Sequence, residues 1–160
     1  MTPRRLLLPK LITLGAVALL LFALVLLVER RGSPAVRADP VRTPGVINPD
    51  VTQANIGSTI CRRGWTRTIR PPVEYTNALK TQQMRAYGET GSRSDYQEDH
   101  LVSLELGGDP TDPRNLWPEP YPRASEVDRI ENELNAKVCA GTLSLRDAQE
   151  QESALKHNDG

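Results

Sequence analysis

The hydrophobic residues of this chain fall into one unbroken block and several short periodic runs. The block is residues 11–28, LITLGAVALLLFALVLLV, 18 residues without a charge. Its length is at the short edge of a membrane-spanning helix, and nothing in it is amphipathic. Residues 32–55 show no apolar period and carry Pro34, Pro40, Pro44 and Pro49, which predicts a partly extended linker. Residues 60–70 hold β-branched and aromatic side chains up to Pro71-Pro72, which predicts a short strand or extended piece. Residues 76–87 read as a helix stopped by Gly88, with Leu79, Gln83 or Met84, and Tyr87 on one side. A central stretch follows, residues 96–122. It has an apolar run from Leu101 to Leu106, a Gly107-Gly108 turn, a loop rich in Pro and Asp, and then Arg114-Asn115-Leu116-Trp117. Beyond it, Val127, Ile130, Leu134 and Val138 recur at helical spacing between a Ser125 cap and a Gly141 stop. Ser144 caps a last helix, with Asp147 three residues on and a thin apolar face of Leu145, Ala148 and Leu155. Residues 157–160 read as a frayed tail with His157 at the surface.

These elements predict an α+β domain, since short strands stand between helices without a repeating alternation. They divide the chain into an N-terminal anchor or signal segment (1–31), a linker (32–55) and one folded domain (56–160). Arg4, Arg5 and Lys10 precede the apolar block, which favours a cytoplasmic N-terminus. Two readings stay open. The block is an uncleaved single-pass anchor with an extracytoplasmic C-terminal domain, or a signal peptide cut after Ala38 and followed by secretion. Net charge is zero over the chain, but residues 32–160 carry 15 positive and 19 negative groups, a balance of −4. A net acidic domain is not an obvious nucleic-acid binder. Cys61 and Cys139 are the two cysteines. In an exported small domain they read as one disulfide, with two buried thiols as the alternative; a metal site is disfavoured because two lone cysteines make no CxxC pair.

The central stretch carries the candidate chemistry. Asp99 and His100 are adjacent, and Asn115 follows across the loop. A hard divalent cation takes carboxylate oxygens, and a histidine can activate water near neutral pH. Neighbouring residues on a strand face opposite ways, so a backbone bend is needed to bring both to one site. The alternative for His100 is a core or capping histidine paired with Glu98 or Glu105. Arg62, Arg63, Arg67 and Arg70 around Trp65 suit phosphates and bases, or form a solvated edge with Trp65 in the core.

The order Asp99-His100, apolar run, Gly107-Gly108, Asn115-Leu116 resembles the DH…GG…NL core of the HNH endonucleases, members of the His-Me finger (ββα-metal) superfamily. The longer context from Thr59 to Gln149, with EDHLVSLELGGDPTDPRNLWPEP at its centre, is similar to a group of small exported bacterial HNH-like proteins. The resemblance implies a β-hairpin and a helix gripping one divalent cation, Mg²⁺, Mn²⁺ or Zn²⁺. It implies His100 as general base, Asp99 as metal ligand and Asn115 as the structural Asn of the loop. The final ligand of that family is a His or Asn on the helix. No histidine stands there, and Asn132 or Glu131 is the substitute, or both belong to a solvated helix face. Ser103 stands where the motif often has Pro. Arg114 either clamps phosphate or pairs with Asp112 or Glu105. The implied function is a metal-dependent endonuclease acting on DNA or RNA outside the cytoplasm. The alternatives are an inactive HNH-like binding or structural module of the cell envelope, and an enzyme acting on another envelope polymer. Nothing in the pattern bears on oligomeric state.

Overall fold

Two five-residue strands form the centre of the fold in the computed structural model, which describes residues 37–159. Strand β1 (Tyr96–His100) pairs antiparallel with β2 (Leu116–Pro120), with Asp99 opposite Trp117 and His100 opposite Leu116. Helices α1 (Trp65–Ile69) and α2 (Val73–Tyr87) precede the hairpin. Helices α3 (Arg123–Cys139) and α4 (Leu145–Asn158) follow it. Both α2 and α3 pack on the strands, and α4 packs on α3. The domain is thus a small α+β unit with helices flanking a short antiparallel hairpin.

The core is built where the apolar positions demanded it. Val127, Leu134 and Val138 of α3 are buried, as are Leu145 and Ala148 of α4. Leu134, Val138, Leu145 and Ala148 join Val51, Ile60, Val102 and Leu106 in one cluster. A second cluster puts Trp117 and Leu101 against Ala38, with Tyr87 beside them. Each fully buried large apolar side chain contributes about 1.5–3 kcal/mol. Residues 37–52, in the stretch expected as a linker, lie against the domain. Ala38, Thr43 and Val51 are buried there, and Ile47 bridges to Gly108.

The long hairpin connection turns at Gly107-Gly108. A Cβ on Gly108 would stand 1.8 Å from the Val102 carbonyl oxygen, so only glycine admits this close approach. The loop then returns through a turn at Pro113–Asn115, capped by Asp112.

Several expected elements differ. Residues 65–69 are helical rather than extended. Gly64, at φ 82°, turns the chain into α1, and an extended Arg70 before Pro71 ends it. Helix α3 begins at Arg123, so Ser125 lies inside its first turn rather than at the cap. Ser144 does cap α4, accepting from the Asp147 N–H at 3.1 Å. That helix runs on to Asn158, and His157 is half-buried with Nε2 2.9 Å from the Thr43 carbonyl oxygen, not a frayed surface residue.

The disulfide between Cys61 and Cys139 is formed. Residues 11–28, the expected anchor or signal, lie outside the described residues. Among the described residues no helix is long and apolar enough to cross a membrane. The expected transmembrane helix, membrane partner and single-pass location therefore have no support among the described residues, and they are withdrawn.

Candidate metal centre

The end of β1 delivers two neighbouring side chains to one place. Asp99 and His100 are both buried, and both line a cavity of about 600 Å³. Strand pairing stops at His100, and the change of direction there lets adjacent residues share the cavity. Helix α3 lies across it and brings Asp128 and Glu131, three residues and thus nearly one turn apart. Among the described residues, Asp99, Asp128 and Glu131 form a group whose ligand atoms all lie within 4.8 Å of one another. Three carboxylates at that separation can hold a hard divalent cation. Gln97 already touches two of them through its amide, 3.3 Å from Asp99 Oδ1 and 3.5 Å from Asp128 Oδ1.

Behind the carboxylates sits a lysine. Lys156, wholly buried on α4, donates to Asp99 Oδ2 at 2.6 Å, to Glu131 Oε1 at 2.6 Å and to the His100 carbonyl at 2.5 Å. Glu152, one turn earlier, is 3.6 Å from the same ammonium. It also accepts the Ser103 N–H with both oxygens at 3.0 Å. Burial works against a charged Lys156, but Asp99, Glu131 and Glu152 outweigh it and hold its pKa well above the usual value. Burial also opposes ionisation of Asp99. The Lys156 ammonium overcomes that and keeps Asp99 an anion. Glu119 is wholly buried and finds no donor as a carboxylate. Burial and the Asp99 charge push it up to about 9. Burial likewise raises Glu131 and Glu152, each helped by a neighbouring carboxylate.

His100 is kept below its usual pKa by burial, against the opposing pull of Asp99, so it is neutral at pH 7. Its Nε2 lies 3.1 Å from the Pro110 carbonyl oxygen. A tautomer donating from Nε2 leaves the lone pair on Nδ1. Asn115 is fully buried and pins the loop. Its Oδ1 accepts the Val102 N–H at 3.0 Å, and its Nδ2 donates to the carbonyls of Val102 and Asp109 at 3.0 and 2.9 Å. Arg62, Arg63 and Arg70 also line the cavity.

Of the residues expected at the site, Asp99, His100 and Glu131 come together, and Asn115 stands behind them in the loop. Asn132 lines the cavity but is exposed, its amide spent on the Asp128 carbonyl at 2.5 Å. Arg114 is away from this cavity and exposed, in an ion pair with Asp112 at 2.6 Å. Asp128, Lys156, Glu152 and Glu119 were not foreseen. The available signal was the α4 stripe Leu145, Ala148, Glu152, Lys156, whose spacing continues one buried face into charged residues.

No family model matches the chain, and no curated protein or solved structure is similar to it. The expectation of a nuclease is cut back accordingly to a cluster that can bind metal. No observation shows hydrolase activity, and DNA or RNA as partners have no support.

One strand carboxylate sets a pH dependence. Both oxygens of Glu98 are buried without a donor. Burial and then the Asp99 charge raise it from the usual 4.5 to about 8, against the pull of Lys80. The folded state keeps this proton where the unfolded chain has lost it, so stability falls as pH rises from 4.5 to about 8 and is flat above. Glu98→Gln removes that loss. Chemical denaturation should show no gain for the variant at pH 4 and a gain on the order of 4 kcal/mol at pH 8. An equal difference at both pH values would contradict the assignment.

Proposed function

We propose that this chain is a divalent-cation-binding module of HNH-like design, a binding or structural element built on a hairpin and a helix. The observation that carries the reading is the convergence of Asp99, Asp128 and Glu131 within 4.8 Å, on the wall of one cavity. The all-oxygen donor set fits Mg²⁺ or Mn²⁺ better than Zn²⁺, which prefers nitrogen and sulfur. Asp99 and Glu131 would hold the ion from β1 and α3, and Asp128, half-buried, from the outer turn of α3. Calorimetric titration with MnCl₂ tests this. The native protein should bind one ion, and Asp128→Asn should lower the affinity at least about tenfold. Absence of binding to the native protein would defeat the reading.

A second reading, hydrolysis of a phosphodiester at the same cavity, is favoured by one further observation. A neutral His100 and the guanidinium groups of Arg62, Arg63 and Arg70 line the cavity together with the carboxylates. His100 can take a proton from water at Nδ1, and the arginines can neutralise a phosphate anion. A bound divalent ion would supply charge stabilisation of the phosphate. Manganese-dependent turnover of bis(p-nitrophenyl) phosphate, lost in His100→Ala, separates this reading from the binding module. Metal binding without turnover leaves the binding module.

A further inference from the structure

We infer that Lys156 is an internal counter-cation of the metal centre, a positioning residue whose charge a divalent ion can take over when the lysine is removed. The inference deepens the metal-binding reading and rests on it. An ammonium has three N–H donors. Those of Lys156 are spent on Asp99 Oδ2, Glu131 Oε1 and the His100 carbonyl, all at 2.5–2.6 Å. Two of these partners are candidate metal ligands, one from β1 and one from α3. The lysine itself reaches them from α4, so one side chain ties three elements at the site.

The geometry divides each carboxylate. Lys156 holds Oδ2 of Asp99, while Oδ1 points to the Gln97 amide that also reaches Asp128. One oxygen is fixed from inside, and the other is left toward the remaining ligand. The charge count agrees. Asp99, Asp128, Glu131 and Glu152 bring four negative charges when ionised, and Lys156 offsets one. The negative balance that remains favours a divalent ion. A buried pair that loses one partner leaves an uncompensated charge, which strongly destabilises a fold. Without Lys156 that charge falls on Asp99 and Glu131, and an ion seated between them can relieve it.

Native protein, Lys156→Met and Lys156→Gln are each titrated with MnCl₂ by calorimetry and melted with and without it. Both neutral variants should melt below the native protein without Mn²⁺ and recover most of the loss with it. Their manganese affinity should be about tenfold tighter than native, because one repelling charge has gone. Tightening with thermal rescue is not what a purely structural lysine produces. Equal or weaker affinity in both variants, or failure of Mn²⁺ to restore their folding, overturns the inference while native binding leaves the metal centre standing. Binding by the variants but not by native protein supports the role of Lys156 and removes the metal reading for the native chain. Absence of binding in all three overturns both.

Discussion

Asn115→Ala is expected to destabilise the domain by about 4 kcal/mol, a figure built from three buried backbone groups left without partners at about 1–3 kcal/mol each. The groups are the Val102 N–H and the carbonyls of Val102 and Asp109. Asn115 is fully buried, so water cannot replace its amide without opening the loop. The consequence reaches the site. Val102 stands two residues after His100, and Asp109 adjoins Pro110, whose carbonyl holds the His100 ring. Thermal melting should show a fall of about 15 °C for a domain of this size. Asn115→Asp should not rescue it, since a carboxylate would face the Val102 and Asp109 carbonyls where the amide donated. A variant within about 1 kcal/mol of native would mean that the loop is held by other contacts.

Loss of the disulfide is the other large effect. Cys61 and Cys139 are 78 residues apart in sequence. In the chain-entropy model a loop of that length adds about 4 kcal/mol by restricting the unfolded state. The bridge also joins the segment carrying Arg62 and Arg63 to the end of α3, the helix that brings Asp128 and Glu131. The pair Cys61→Ala and Cys139→Ala should therefore lower the denaturation midpoint strongly and weaken manganese binding as well. A stability loss with unchanged metal affinity would show that α3 is held in place without the bridge.

The sequence made some parts of this molecule legible and hid others for physical reasons. The α3 stripe could be read because Val127, Leu134 and Val138 are apolar and buried, the last two in the main core cluster. The Ser144 cap could be read because a hydroxyl three residues before a carboxylate has a local partner. Helix α1 could not. Thr66, Thr68 and Ile69 favour extended chain, and the turn at Gly64 decided otherwise. Asp99, His100 and Asn115 stood out because they are close in sequence. Glu152 and Lys156 did not, because a Glu–Lys pair four residues apart usually marks a solvated helix face. Here that face is turned inward, against β1 and α3, and its partners lie 25 to 57 residues away. Asp128 passed as a capping carboxylate because the helix cap was placed three residues late. The identity of the buried cation was thus a tertiary property, carried by no local pattern.

The most direct measurement of the central claim is anomalous diffraction from crystals of the protein grown with MnCl₂. A manganese peak within coordination distance of the Asp99, Asp128 and Glu131 carboxylates is the result predicted. A well-ordered site with no peak there, or manganese bound only elsewhere on the molecule, would contradict it.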